Sequence, residues 1–223
     1  MPIRVLLVDD HAVVRDGLKA ILEAQGHITV VGEASDGRKA VDQAKKLRPD
    51  VVVMDIAMPE LNGIEATRQI RESCPSTQVV ILSMYSSSEH IYQAIRAGAQ
   101  GYLLKESAGK EVLAAVCAVH AGRRYMSQQI TATMIDDYMH HRDTAEPKSP
   151  LDLLSHRERE VLQLVVEGKS SKEIANILHL SPKSVETYRS RLMQKLGMSD
   201  LPGLVKFAIQ HGITPPPPPP PVI

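Results

Sequence analysis

The sequence predicts an α/β fold class: a doubly wound parallel sheet followed by a small all-α domain. Three observations carry that reading. Apolar, strand-like runs alternate with amphipathic helical stretches up to His120, the signature of a parallel sheet with helices on both faces. Over residues 151–213 the periodicity is helical only. Between the two lies a polar, proline-flanked run, 142–150, with the composition of an interdomain linker. A length of 223 residues accommodates two small domains, and 43% hydrophobic with 23% charged residues excludes a disordered or collagen-like chain.

Taken in order, strands are expected at 3–8, 29–34, 51–54, 78–82 and 100–103, and helices at 12–24, 38–47, 64–71, 88–97 and 110–120. Breakers punctuate the series at Gly26, Gly32, Arg48-Pro49-Asp50, Cys74-Pro75-Ser76 and Gly98. These five βα units make a first domain, 1–122. Residues 123–150 read as a linker containing one amphipathic helix, 128–140. The second domain, 151–213, holds four short helical segments with turns at Gly168, Ser181-Pro182 and Gly197. A tail, 214–223, contains seven consecutive prolines and favours extended polyproline II. Such a run is either a ligand for an SH3-like or profilin-like partner or an inert tail.

Lysine plus arginine and aspartate plus glutamate both number 26, so partners must be read from local charge. Residues 1–122 hold 13 basic and 15 acidic side chains, and residues 151–223 hold 9 and 7. Within 182–195, Lys183, Arg189, Arg191 and Lys195 face only Glu186, an excess that points towards a polyanion. Two cysteines, Cys74 and Cys117, are too few for a disulfide framework and suit a reducing compartment, so a cytoplasmic location is expected. No run of about 18 apolar residues occurs, and Asp9-Asp10 interrupt the N-terminus before a signal-peptide core could form. Neither membrane spanning nor export is expected.

In an open parallel sheet, ligands bind outside the carboxyl ends of the strands. Here the first strand ends in Asp9-Asp10 and the third in Asp55, which converge if the strand order is 2-1-3-4-5. Such clustered carboxylates repel, and a hard cation such as Mg²⁺ relieves the repulsion while keeping waters for a phosphate substrate. Ser83 after the fourth strand and Lys105 after the fifth add a hydroxyl and an ammonium. A carboxylate nucleophile, a divalent metal, a donor and a cation suit phosphoryl transfer, with Asp55 as acceptor. Any one of these residues alone would read as a solvated strand end.

In the second domain, Ser155 with Glu158 forms a capping box that opens a helix whose apolar stripe is Val161, Leu162, Leu164 and Val165. A second short helix from Ser171 turns Ile174, Ala175 and Leu178 inward. A third after Ser181-Pro182 contains Val185, Leu192 and Leu196. Two short helices joined by a tight turn are helix-turn-helix geometry. The third helix exposes Lys183, Glu186, Thr187, Arg189, Ser190 and Arg191, on their own either a solvated surface or a nucleic-acid-binding face.

The runs Val5-Leu6-Leu7-Val8-Asp9-Asp10-His11, Val53-Met54-Asp55-Ile56-Ala57-Met58-Pro59 with Asn62-Gly63-Ile64-Glu65, then Ser83 and Gly101-Tyr102-Leu103-Leu104-Lys105, resemble the receiver domain of two-component response regulators. Leu154-Ser155, Arg157-Glu158, Gly168, Lys172-Glu173-Ile174-Ala175, Ser184-Val185, Thr187-Tyr188 and Lys195-Leu196-Gly197 resemble the LuxR-type domain. Together they place the chain beside the NarL/FixJ subfamily across nearly its full length.

The resemblance implies a flavodoxin-like receiver of order 2-1-3-4-5 and a four-helix DNA-binding domain. By position, a sensor histidine kinase would phosphorylate Asp55. Asp10, Asp55 and the Ala57 carbonyl would bind Mg²⁺, with Asp9 acting through water. Ser83 and Lys105 would contact the phosphoryl group, and Tyr102 would move inward as the switching aromatic. The change would spread to the face of the fourth and fifth helices, promoting a homodimer or releasing the helix-turn-helix. Double-stranded DNA is the implied ligand, with RNA polymerase a candidate partner. Glu186, Thr187 and Ser190 are best placed for base edges; Lys172, Lys183, Ser184, Tyr188, Arg189, Arg191 and Lys195 suit phosphates. The fourth helix, 201–209, would serve a dimer contact or the core.

Glu106 stands where many receivers carry a cis proline, leaving the conformation of that peptide open. The alternative function is a phosphorylation-independent LuxR-type transcription factor with an intact but non-regulating receiver. An enzyme is not expected: Asp55-Ile56-Ala57 lacks the second aspartate of a haloacid-dehalogenase-type phosphatase. Gln163 stands where a Walker sequence ending at Lys169-Ser170 requires glycine, and Cys74, Cys117 and His140-His141 have no zinc-ligand spacing.

Overall fold

The computed structural model describes residues 1–24, 26–140 and 149–215, and of residue 140 the backbone only. Most of the polar linker run and of the polyproline tail lies outside the described residues. The chain divides into two compact units, Met1–Asp152 and Leu153–Ile223.

The first unit runs β1 (Ile3–Val8), α1 (Ala12–Glu23), β2 (Ile28–Ala34), α2 (Gly37–Leu47), β3 (Val51–Met54), α3 (Gly63–Ser73), β4 (Gln78–Ser83), α4 (Ser88–Arg96), β5 (Gly101–Leu104), α5 (Ala108–His120), β6 (Tyr125–Met126) and α6 (Gln128–His140). The strands form one sheet of order β2-β1-β3-β4-β5-β6, every neighbouring pair parallel. Alternation along the strands splits the core into two layers. Leu6, Val8, Met54, Ile81 and Tyr102 face the side where Ile70 and Ile91 pack; Val5, Leu7, Val53, Val80 and Leu82 face Leu22, Val112 and Val116 of α1 and α5. Burial on both faces is why these strands read as continuous apolar runs.

The segment after Gly122 departs from the linker reading. Tyr125–Met126 extends the sheet beside β5, with the Tyr125 amide donating to the Gln100 carbonyl and the Ser127 amide to that of Tyr102. α6 then sends Ile130, fully buried, into the core layer. A strand of two residues has too few positions for an alternating pattern to register. No described peptide bond is cis, so Lys105–Glu106 is trans, within a 3₁₀ turn over Lys105–Ser107.

The second unit contains α7 (His156–Val166), α8 (Ser171–Leu178), α9 (Pro182–Leu196) and α10 (Leu201–Gln210). Capping boxes start α7 at Ser155 with Glu158 and α8 at Ser170 with Glu173; Ser181 with Pro182 starts α9. Gly197 ends α9 at φ 64°, a left-handed conformation glycine takes without a Cβ clash. Val161, Leu162, Ile174, Val185, Leu192 and Leu204 are buried in this unit. No described helix is long and apolar enough to cross a membrane.

Candidate functional site

Strand register builds the pocket. β1 and β3 pair with Val8 opposite Met54, so Asp9 and Asp55, each the next residue, leave the sheet side by side. β4 and β5 pair with Ser83 opposite Leu104, which puts Ser83 and Lys105 at the same edge. Asp9, Asp55 and Ser83 are 2%, 4% and 0% exposed. The Asp55 amide donates to the Val8 carbonyl at 2.8 Å, and its Oδ1 accepts from the Ile56 amide at 2.8 Å. Behind it, a Cβ on Gly63 would lie 1.8 Å from the Asp55 carbonyl oxygen, so only glycine lets α3 start this close.

Lys105 bridges the carboxylates. Its Nζ donates to Asp55 Oδ2 at 2.8 Å and lies 2.7 Å from Asp9 Oδ2. Burial pushes the Asp55 carboxyl up to about 6; the Lys105 charge pulls the other way, and Asp9 reinforces the rise. For Lys105, burial pulls down most, yet the two carboxylates outweigh it and hold the ammonium above its ordinary value. Asp10 lies at the rim with His11, whose Nδ1 is 2.7 Å from Asp10 Oδ1 and 3.2 Å from Asp9 Oδ1. Asp9 and Asp55 share one lysine and Asp10 lies beside Asp9, an oxygen-rich set with excess negative charge that fits a divalent cation. Ala57 is half-buried in the loop after β3.

Ser83 connects the pocket to its surroundings. Its Oγ accepts from the Tyr85 amide at 3.1 Å. The Tyr102 ring is fully buried, and its hydroxyl donates to the Tyr85 carbonyl at 2.8 Å. Burial pushes that hydroxyl well above its ordinary value. Tyr85 in turn stacks on His90, centroids 4.4 Å apart. Sequence reasoning missed Tyr85, whose part is played by backbone and carries no side-chain signal, and gave His11 no role. Its position beside the paired aspartates was the available clue.

On α9, Lys183, Glu186, Thr187, Ser190 and Arg191 are exposed, and Ser184, Tyr188 and Arg189 are half-buried; Lys172 on α8 is exposed. Some of these side chains already have protein partners. Ser171 Oγ donates to the Glu186 carboxylate and receives Arg189 Nη1 at 3.2 Å. Lys195 Nζ donates to Glu158 Oε2 at 2.7 Å, tying the end of α9 to the capping box of α7 rather than leaving it directed at a phosphate. Burial alone would raise the Glu158 carboxyl, but Lys195 and Ser155 together hold it below its ordinary value. On the outer side of α10, Leu201, Pro202, Val205 and Ile209 line an apolar groove of about 500 Å³.

Two family models match: the response regulator receiver domain over residues 5–117, and bacterial regulatory proteins of the luxR family over residues 152–208. The oxygen regulatory protein NreC of Staphylococcus aureus (strain MRSA252) is 37% identical over 210 residues, covering 93% of this chain and 97% of that protein. The crystal structure of a LuxR-family two-component response regulator from Aurantimonas sp. SI85-9A1 shares 37% identity over 62% of this chain and 99% of its own, with a TM-score of 0.60. A structure of two RcsB dimers bound to two parallel DNAs shares 25% identity over 93% of this chain and 98% of its own, with a TM-score of 0.57.

Proposed function

This chain belongs to the two-component response regulators that join a receiver to a LuxR-type DNA-binding domain, and from that premise we propose that phosphorylation of Asp55 controls sequence-specific DNA binding and transcription. One observation carries the reading: a buried carboxylate at a sheet edge, bridged by Lys105 to a second carboxylate, with a Ser hydroxyl at the end of the adjacent strand. At neutral pH an acceptor with a pKa of about 6 is mostly ionised. An Asp55 carboxylate oxygen attacks phosphorus on the kinase's phosphohistidine; the P–O bond forms, the P–N bond breaks, and the histidine leaves. Lys105 and Ser83 then turn their N–H and O–H donors to the phosphoryl oxygens. Asp10, Asp55 and the Ala57 carbonyl would hold Mg²⁺, with Asp9 acting through water. The ion supplies neutralisation of charge on the transferring oxygens.

When Ser83 turns inward it leaves the amide of Tyr85, whose carbonyl holds the Tyr102 hydroxyl, which links Asp55 to the start of α4. α9 enters the major groove, with Thr187, Ser190 and Glu186 towards bases and Lys183, Ser184, Tyr188, Arg189, Arg191 and Lys172 towards the backbone. Lys195 serves as the Glu158 partner first. The apolar groove on α10 suits a second copy of the chain, so the DNA-bound form is a homodimer; RNA polymerase is its downstream partner. The chain acts as a cytoplasmic regulator and not as an enzyme.

The test is acetyl phosphate with Mg²⁺ followed by mass spectrometry. One phosphoryl group on the peptide containing Asp55, absent from Asp55→Asn, is expected; a phosphoryl group elsewhere, or none, overturns the assignment.

A further inference from the structure

Residues 149–152, the last of the first unit, dock on α4. Glu89, Gln93 and Arg96 stand at i, i+4 and i+7, so they share one face of that helix. Arg96 Nη1 donates to Asp152 Oδ1 at 2.7 Å, and Gln93 Nε2 donates to the same oxygen at 3.1 Å. Ser149 Oγ donates to the Glu89 carboxylate and accepts from the Leu151 amide at 3.1 Å. Ser149, Leu151 and Gln93 are buried, which marks a seated segment and not a pair of solvated charges. The first turn of α4 answers to the pocket. His90, buried, stacks on Tyr85, its Nδ1 lies 2.6 Å from Ser87 Oγ, and the Tyr85 amide is held by Ser83. Ser83 therefore reaches α4 through one ring, and a helix of nine residues carries a displacement of its first turn to its last.

We propose that the α4 face of Glu89, Gln93 and Arg96 is the docking site for residues 149–152 of this chain, and that the pocket sets the reach of the DNA-binding domain by holding or releasing them. With Asp152 anchored, the chain from Asp152 to His156 at the start of α7 spans at most about 14 Å. With Asp152 free, the chain from the end of α6 at His140 to His156 spans at most about 58 Å. When Ser83 turns to a phosphoryl group, Tyr85 and His90 follow, α4 shifts, and its contacts with Ser149 and Asp152 part. The release rests on the reading of Asp55 as the phosphoryl acceptor; the docking does not.

The experiment is hydrogen–deuterium exchange of the full chain, with Mg²⁺ and with or without beryllofluoride, read at the Leu151 and Asp152 amides. In the wild type these amides are expected to exchange about tenfold faster with the mimic than without it. Arg96→Asp and Asp152→Arg, each alone, are expected to exchange at the fast rate without the mimic. The double variant, which reverses the ion pair, is expected to regain at least about threefold of the protection. Small-angle scattering of the monomer reads the reach: a wider spread of distances is expected for either single variant and not for the double. Fast exchange in the wild type without the mimic, or no recovery in the double variant, overturns the docking. Protection that persists while the mimic shields the peptide containing Asp55 overturns the release alone and leaves the phosphorylation reading standing. A mimic that does not shield that peptide overturns the phosphorylation reading and the release together, and the charge reversal still decides the docking.

Discussion

The pocket of the first unit and the α9 surface of the second are built on opposite principles. Asp9, Asp55 and Ser83 are buried at the ends of three paired strands, and a single lysine answers two of their charges. Lys183, Thr187, Ser190 and Arg191 stand in solvent on one exposed helix face. A buried constellation is fixed by backbone register, so its chemistry is determined before any ligand arrives. An exposed face fixes only direction and charge; it selects a class of ligand, and the ligand completes the geometry.

Five substitutions break or sharpen that contrast, in order of expected effect. Gly63→Ala forces a methyl against the Asp55 carbonyl and is expected to cost about 3 kcal/mol in urea unfolding. No helix-face substitution on α9 should approach it, and an unaffected midpoint would mean that the pocket is not rigid.

Asp55→Asn comes next. With the folded value at about 6 against an ordinary 3.8, protonated Asp55 favours the fold. That contribution is fully present below 3.8 and lost as pH rises through 6. In the presence of a chelator, Asp55→Asn is therefore expected to be more stable than wild type at pH 8 by on the order of 1–3 kcal/mol, with the gap closing near pH 4. A gap independent of pH would show that buried charge is not its source.

On the exposed face, Thr187→Ala is expected to change sequence preference by about 1–2 kcal/mol at one base pair. Lys183→Ala should weaken specific and random DNA alike and reduce the salt slope by about one. Identical effects of both on random DNA would collapse the division between base and phosphate contacts. The smallest effect belongs to Lys195→Met: about 0.5 kcal/mol of stability from the lost pair between half-exposed Lys195 and buried Glu158, which keeps the Ser155 amide as a partner, with the salt slope unchanged. A slope reduced by one would instead make Lys195 a phosphate contact.

Much of the pocket was legible because the end of a strand fixes where the next residue stands. Asp9, Asp55, Ser83 and Lys105 could be nominated from run ends alone, and the register supplied the rest. β6 was not legible, since two residues carry no period. The burial of Tyr102 was hidden because its acceptor is a carbonyl 17 residues away, a tertiary fact. On α9 the charge excess was visible, but Lys195 is claimed by Glu158, 37 residues earlier, and Glu186 by Ser171 on the preceding helix. Local sequence carries no sign of either partner, because each depends on how the helices pack.

The central claim is that Asp55 governs assembly. Sedimentation velocity of the full chain with Mg²⁺, with and without beryllofluoride as a phosphoryl mimic, beside Asp55→Asn, tests it most directly. A shift from monomer to dimer in the wild type alone is the predicted result. A dimer without the mimic, or an equal shift in Asp55→Asn, would contradict it and leave a receiver whose output needs no phosphate.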